Sequence, residues 1–324
     1  MDLVIYAARR LATIVVSLFV LSILIFALVR VLPGSPAESM LGLRATPKLV
    51  AQINHQLGLD RPLFAQYWSW LSGAVHGDLG RSLATSGTGG ISSAAVTGIV
   101  SRGLVVTVWL SVLGIVFATI LGVSLGLLGA TRKHASSDSL VAGVSLLGIS
   151  IPDFYLALLL VLLFTVRLGW LPSVGFVNPV KDVVGGLRSL ALPVAAVALI
   201  NTSAIARITR NSVKETSTTD YVTLATLHGV PRRVVIGKHV LRNALVPILT
   251  VLGLQLGFLF GGVVVIETVF SLPGMGRYLV VAVGQRDYPT IEALIMTFAA
   301  LFMLVNLVVD VAYAVVDPRI RAST

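Results

Sequence analysis

The chain has 324 residues, of which 56% are hydrophobic and only 12% are charged. Soluble domains carry about 25% charged residues, so this composition, with its several long apolar runs, indicates an integral membrane protein with several spans. The net charge is +10, and the basic residues cluster beside apolar runs, which favours a role in membrane topology and contact with anionic lipid over nucleic-acid binding. The lack of cysteine excludes disulfides and thiolate metal sites.

Residues 1–32 are predicted to form a first membrane-spanning helix. Arg9 and Arg10 precede an uncharged run from Leu11 to Val29, which is long enough to cross a bilayer. A cleaved signal peptide is the alternative, but the run is long for the apolar core of such a peptide, and residues 32–37 make a poor cleavage site. The two arginines place the N-terminus in the cytoplasm.

Residues 33–102 are predicted to form an extracytoplasmic segment with short amphipathic helices. Apolar side chains recur at helical spacing in residues 49–59 and 64–71, and Trp68 and Trp70 suit a membrane interface. We therefore expect two short helices that lie against the outer surface of the membrane.

Residues 103–316 are predicted to form a core of five further spanning helices, followed by a cytoplasmic tail at 317–324. The apolar runs that define these spans are Val105–Ala130, Ser139–Val166, Leu190–Ile205, Ala244–Ile266 and Ile291–Val316. Gly122 and Gly126 stand four residues apart in the second span, so a neighbouring helix can approach closely there. Six spans make the fold all-α and put both termini in the cytoplasm.

Two of the core spans carry features that interrupt a plain apolar helix. Pro152 stands within the third span, where it removes a backbone hydrogen bond and is expected to kink the helix. In the fifth span Gly253, Gly257 and Gly261 recur every four residues and leave one helix face almost bare. That face is either a seam between two subunits or moving helices, or a site of ordinary tight packing.

A basic interruption at residues 207–242 separates the fourth and fifth spans, and we assign it to the cytoplasmic face. It contains a predicted short helix at 220–229. One face of this helix is formed by residues at i, i+3, i+4 and i+7, which are Tyr221, Leu224, Ala225 and His228. Asp220 is placed to cap its start, and Gly229 with Pro231 ends it. So long a polar stretch in an apolar chain indicates a docking surface for another protein.

The residues of this interruption also resemble a known motif. The matching positions are Asp220-Tyr221, Ala225, Gly229, Arg232-Arg233, His239, Leu241-Arg242-Asn243-Ala244-Leu245 and Pro247. They resemble the EAA loop of ABC importer permeases, in its peptide-permease form. Further stretches resemble the same subfamily in order along nearly the whole chain, at residues 58–62, 66–67, 77–80, 82, 150–154, 267–277, 286–289 and 317–321. The chain is thus similar to the first permease subunit of dipeptide/oligopeptide ABC importers, an inner membrane component of binding-protein-dependent transport systems.

The resemblance implies a type I ABC importer permease fold that forms half of a translocation path in the bacterial inner membrane. The implied partners are a second homologous permease, two ATP-binding cassette ATPases, an extracytoplasmic substrate-binding protein, a peptide substrate and membrane lipid. The chain has no phosphate-binding loop, so ATP and Mg are expected on the partner ATPases and no cofactor is expected here. No catalytic residue is expected, and the five histidines show no metal-ligand spacing.

The resemblance implies three sets of site residues. The set that docks on the ATPase comprises Asp220, Tyr221, Leu224, Ala225, His228 and Gly229. The lever segment, which would carry motion into the fifth span, comprises Arg232, Arg233, Arg242, Asn243 and Pro247. The candidates for the translocation path are Ser150, Pro152, Asp153, Asn201 and Glu267. In the alternative interpretations Asp153 only caps the half-helix after Pro152, and Asn201 only bonds a neighbouring helix.

The chain departs from the family pattern at several positions of the predicted docking helix. Thr223 stands where the family has glutamate, Leu224 replaces alanine, and Thr226 and His228 stand where basic residues are usual. These departures move the expected contact from charge pairing toward shape and apolar anchoring. An importer of nickel, glutathione or another small solute is the alternative function. An intramembrane hydrolase is the enzyme alternative, although Ser150 has no histidine or lysine at a suitable depth.

Overall fold

The computed structural model describes residues 3–31, 34–42, 45–83, 94–131, 143 and 151–316, and this part of the chain is almost entirely helical. Its helices are α1 (Leu3–Val31), α2 (Pro36–Leu41), α3 (Pro47–Gln56), α4 (Leu63–Val75), α5 (Val96–Thr131), α6 (Asp153–Leu160), α7 (Val183–Ser217), α8 (Asp220–Leu227), α9 (Arg232–Val269), α10 (Met275–Gln285) and α11 (Tyr288–Val316). These residues contain no β-strand, only one isolated bridge between Arg81 and Ala95. Ser150 and the predicted tail at 317–324 lie outside the described residues.

Five of the described helices are long and apolar enough to cross a membrane, namely α1, α5, α7, α9 and α11. This confirms the predicted all-helical membrane protein. The predicted third span is described only at residue 143 and from Ile151 onward, where α6 continues into a π-helical turn at Val161–Arg167. The count of six spans therefore stays a prediction.

Helix α7 is longer than the apolar run Leu190–Ile205 that predicts it. It begins at Val183, directly after Asp182, whose Oδ1 accepts a hydrogen bond of 3.0 Å from the backbone N–H of Gly185. It continues to Ser217, so the start of the basic interruption is helix. The difference arises because hydropathy marks the part of a helix that suits lipid, whereas capping and backbone hydrogen bonds decide where the helix begins and ends.

The chain divides into two compact units. The large unit comprises Met1–Ala7, Val108–Leu272 and Leu304–Thr324, and the small unit comprises Ala8–Thr107 and Pro273–Met303. The basic interruption and the path candidates that the structure describes belong to the large unit, whereas the predicted extracytoplasmic segment belongs to the small unit.

Within the large unit α5 packs closely on α7 at two glycines. A Cβ atom added to Gly126 would lie 2.7 Å from the carbonyl oxygen of Ala206, and one added to Gly122 would lie 2.7 Å from the Cβ of Ile205. Backbone atoms of a packed helix cannot give way as the end of a flexible side chain can. Glycine is therefore required for this approach, which confirms the predicted close contact and identifies α7 as the neighbour.

Within the small unit α4 packs along the first span. The ring of Tyr67 lies edge-on to that of Phe26 with 5.3 Å between their centroids, and the Tyr67 hydroxyl lies 2.9 Å from Ser22 Oγ. The amphipathic helix that we expect on the membrane surface is thus held against the side of a spanning helix.

Two stretches that are distant in sequence meet in the small unit at Asp287, which is almost completely buried. Its carboxylate accepts hydrogen bonds from Ser82 Oγ at 2.5 Å and from the backbone N–H of Leu83 at 3.0 Å. It also accepts one from Thr290 Oγ1 at 2.7 Å, in the first turn of α11. Asp287 therefore ties the end of the segment after α4 to the start of α11.

A buried ion pair also joins α1 to α11 in the small unit. Arg30 Nη1 lies 2.6 Å from Glu292 Oε1, and Arg30 Nε donates a hydrogen bond of 3.2 Å to Gln66 Oε1. The guanidinium stands 4.2 Å from the centroid of the Phe26 ring. Opposite charges in two apolar helices neutralise each other, and the aromatic ring adds a cation–π contact.

Candidate functional site

Helix α8 has one face turned into the large unit and another turned to solvent. Val222 is 4% exposed within a buried apolar cluster, and Ala225 packs against the same cluster. Tyr221, Leu224 and Leu227 are 42%, 54% and 77% exposed, so they form the apolar surface that a partner can reach. We call these three residues the exposed face of α8. Leu227 was not among the residues selected from the sequence, whereas Ala225 was.

The buried cluster explains which face of α8 is exposed. Its members come from α7, from α8 and from the first turns of α9, and they are Val213, Val222, Val235, Val240, Ala244 and Ile248. Helix α8 is therefore packed as part of the large unit, and it shares its buried cluster with α9.

The C-terminal end of α8 agrees with the prediction from the sequence, and its N-terminal end does not. The N-cap is Thr219, whose backbone is extended at φ −74° and ψ 151°, so the prediction that Asp220 caps the helix is wrong. Asp220 is already helical, and its charge in the first turn suits the positive end of the helix dipole. At the other end Gly229 has φ +77°, a conformation that favours glycine, and it ends the helix as predicted.

Two side chains of α9, Asn243 and Arg232, each donate a hydrogen bond to a neighbouring helix. Asn243 Nδ2 donates to the Tyr221 hydroxyl at 2.6 Å and to the carbonyl oxygen of His239 at 3.0 Å. Arg232 Nη2 donates to the carbonyl oxygen of Thr131, the last residue of α5, at 2.6 Å. The lever segment is thus bonded directly to α8 and to α5.

The remaining residues of the lever segment lie on a backbone that is not uniformly α-helical. Val235–Val240 is π-helical, and regular α-helix follows from Leu241. Arg233 and Arg242 are exposed, and Pro247 lies inside α9 with an exposed ring. The segment therefore combines exposed basic side chains with an irregular turn at Val235–Val240.

A polar cavity of about 180 Å³ lies between α6, α7 and α9 within the large unit. Its polar lining residues are Asp153, Asn201 and Gln255, and the rest of the lining is mostly apolar. The structure therefore brings together two path candidates from different predicted spans. It adds Gln255, which the sequence analysis missed. The available signal was a single carboxamide within the apolar run of the fifth span.

The structure shows where the side chains of Asp153 and Asn201 point, and their role in the path stays a prediction. Pro152 is the N-cap of α6, and no side-chain cap hydrogen bond is made. The carboxylate of Asp153 instead points at α9, where its Oδ2 lies 3.0 Å from the place that a Cβ of Gly262 would occupy. Asn201 is 7% exposed, and its Nδ2 donates to the carbonyl oxygen of Val197 in its own helix at 2.8 Å.

The other path candidates lie elsewhere or outside the described residues. Pro152 is exposed and directly precedes α6, so the helix begins after it. Glu267 is completely buried and follows Ile266, the last lining residue of the cavity, without lining it. Ser150 is outside the described part. No group of three His, Cys, Asp or Glu side chains able to hold a metal ion is found among the residues that the structure describes.

Two family descriptions match the chain. Residues 118–322 match the binding-protein-dependent transport system inner membrane component, and residues 3–109 match the N-terminal region of such membrane components. The chain belongs to this family. It is a membrane permease subunit of a transport system and not an enzyme, and the predicted relationship to ABC importer permeases is confirmed.

Similar proteins match this permease along nearly its whole length. It is 40% identical over 316 residues to the glutathione transport system permease protein GsiC of Escherichia coli strain K12 and of Shigella boydii serotype 4, with 98% of both chains covered. Among solved structures it is similar to the crystal structure of an amino acid ABC transporter with histidines, with a TM-score of 0.47 and 16% identity over 69% of this chain and 94% of that chain. The family assignment depends on the sequence matches.

Proposed function

We propose that this permease forms half of the translocation path of an ATP-driven importer of short peptides in the bacterial inner membrane. The supporting observation is its 40% identity, over 98% of its length, to permeases named for glutathione. Glutathione is itself a tripeptide, so it is a specific second candidate within the same chemical class.

The exposed face of α8 supports a division of labour between this chain and separate ATPases. Tyr221, Leu224 and Leu227 would enter a groove of an ATP-binding cassette ATPase, as an apolar helix face enters a groove in other helix-recognition interfaces. ATP and Mg would be bound by two such partner ATPases. A second homologous permease would complete the path, and an extracytoplasmic binding protein would deliver the peptide. Both termini of this chain would be cytoplasmic.

The packing of the large unit provides the route by which ATPase closure reaches the path. Movement of α8 passes into α9 through the buried cluster and through the bond between Tyr221 and Asn243. Helix α9 in turn lines the polar cavity at Gln255. Changing a population from about 99:1 to about 1:99 takes about 5.5 kcal/mol of differential binding. That free energy would come from ATP on the partners, while α8 and α9 transmit it.

Uptake into reconstituted vesicles tests the proposal. The chain would be assembled with its partner permease, ATPases and binding protein, and uptake of radiolabelled glutathione and of trialanine would be compared with and without ATP. We expect ATP-dependent uptake of tripeptides, with vesicles lacking this chain as the control. Uptake of both solutes identifies a general peptide importer, and uptake of glutathione alone identifies the narrower one. Accumulation of Ni²⁺ without either peptide would contradict the proposal.

A further inference from the structure

The polar cavity presents hydrogen-bond acceptors that have no donor of their own. Within the described part of the chain, no hydrogen bond or ion pair reaches the carboxylate of Asp153. The carbonyl oxygen of Val197 can only accept, so the amide nitrogen of Asn201 must face it, and Asn201 Oδ1 is left for the cavity. Gln255 can add its own carbonyl oxygen. The cavity thus offers a negative charge surrounded by acceptor oxygens.

Asp153 packs against α9, one of the helices long and apolar enough to cross a membrane. Asp153 faces Gly262, which stands seven residues before the end of α9, or about 10 Å along the helix axis. An ionisable side chain at membrane depth is costly unless it is paired or hydrated, and such residues mark the routes of solutes and ions. The arrangement therefore requires water or a cationic group in the cavity.

We propose that Asp153, Asn201 and Gln255 form a subsite for an ammonium group, and that the passing peptide supplies it as its free α-ammonium. The inference rests on the proposed function. An ammonium has three N–H donors and one positive charge, which match one carboxylate and two carbonyl oxygens. A divalent metal ion would take more oxygen ligands and usually more than one carboxylate.

The size of the cavity limits what the subsite can hold. Pockets that enclose a whole ligand measure about 300–1,000 Å³. At about 180 Å³, this cavity suits one end of a peptide and not the complete molecule. The subsite therefore does not contact the side chains of the peptide. It distinguishes a peptide with a free amino terminus from one whose amino terminus is blocked.

A single engineered thiol can report on the cavity because the chain has no cysteine. Phe258→Cys puts a thiol on the lining at a position that is 74% exposed, and it changes none of the three acceptor residues. In the assembled complex, modification of this chain by a cationic and by an anionic methanethiosulfonate would be followed by mass spectrometry. The ratio of the cationic to the anionic rate is expected to fall about tenfold on adding Asp153→Asn, because a negative charge in the lining of the same cavity is lost, and to be retained with Asp153→Glu.

Protection from modification tests the ligand. Trialanine is expected to slow labelling of Phe258→Cys at least about tenfold more than N-acetyl-trialanine does, because only the free peptide brings a charged donor. Ethylammonium is expected to protect as well, which would show that the ammonium group is sufficient. The difference between the two peptides should disappear when Asp153→Asn is added.

Two outcomes overturn the subsite. One is an unchanged rate ratio in Asp153→Asn. The other is equal protection by the two peptides with Asp153 intact, a result that does not depend on any variant of Asp153 being folded. ATP-driven uptake of trialanine would be measured in the same vesicles. Uptake together with equal protection contradicts the subsite alone, whereas the absence of any peptide uptake contradicts the proposed function.

Discussion

At the scale of single residues, the pair of Arg30 and Glu292 places two opposite charges inside apolar helices of the small unit. Glu292 is 2% exposed and its Oε1 lies 2.6 Å from Arg30 Nη1. We expect Glu292→Gln to lower the free energy of unfolding by about 1–3 kcal/mol, because Arg30, whose side chain is 17% exposed, would lose its counter-charge. Thermal unfolding of the purified permease in detergent measures the effect.

Two further variants make that measurement specific. The double variant Arg30→Met with Glu292→Leu is expected to regain most of the loss, since an apolar pair can replace a buried ion pair. Asp60→Asn, at an acid whose side chain is 50% exposed, is expected to change stability by less than about 0.5 kcal/mol. Equal stability of Glu292→Gln and Asp60→Asn would contradict the assigned role of the pair.

Two glycines in spanning helices are expected to respond in opposite ways to the same added methyl group. Gly126→Ala would place its Cβ 2.7 Å from the carbonyl oxygen of Ala206, so α5 and α7 would have to separate and the melting temperature should fall. Gly261 has no atom within 4 Å of such a Cβ. Gly261→Ala is therefore expected to stabilise the isolated chain by about 0.5–1 kcal/mol through better helix propensity. The two melting temperatures, measured side by side, check this.

The same Gly261 variant tests whether this part of the glycine-rich face of the fifth span is a seam between subunits. A more stable isolated chain that no longer assembles with its partner permease would indicate a seam between subunits. Unchanged assembly would indicate that Gly261 lies outside any subunit contact. Co-purification of the two permeases provides the measurement.

At the scale of helices, we expect the buried face of α8 to contribute to stability and its exposed face to contribute to ATPase binding. Val222→Ala removes two buried carbon atoms from the cluster and is expected to cost about 1.5 kcal/mol or more of stability. Leu224→Ala, on the exposed face, is expected to leave the melting temperature unchanged and to weaken ATPase binding and uptake. Thermal unfolding and co-purification with the ATPases distinguish the pair.

Loss of stability without loss of ATPase binding in Leu224→Ala would contradict the docking role. Substitutions at Gly229 or Ala225 are poorer tests. Any side chain at Gly229 must adopt a φ near +77°, and a charge at Ala225 would enter the buried cluster, so both would disturb the fold itself.

The position and end of α8 could be predicted from short-range sequence patterns, but its exposed residues could not. Its position and its end at Gly229 follow from residues within one helix turn of each other. Which face of α8 is exposed depends on its packing against Val213 of α7 and Val240 of α9. Ala225 packs against this cluster, and Leu227 is exposed instead. Helix α10 was missed because no membrane-length apolar run marks it.

The polar cavity shows a similar limit of prediction. Asp153 and Asn201 could each be selected as polar residues within apolar spans. Their meeting with Gln255 depends on the axial positions of three helices, which the composition of no single helix determines.

At the scale of the whole molecule, the number of spans determines the sides on which the two termini lie. Six spans put both in the cytoplasm, whereas five would separate them. We expect single cysteines added at each end to escape a membrane-impermeant reagent in intact cells and to react after permeabilisation. The native chain, which has no cysteine, is the background control. Reaction of one terminus alone in intact cells would contradict six spans.

The π-helical turn at Val235–Val240 places an extra residue near the start of α9. An α-helix advances about 100° around its axis with each residue, and a π-helical turn holds one residue more than an α-helical one. Absorbing that residue into regular helix would rotate the rest of α9 by about 100° relative to α8. Gln255 and Gly262 would then turn together to a different side of α9, so a movement of α8 that regularises this turn would rotate the lining of the cavity.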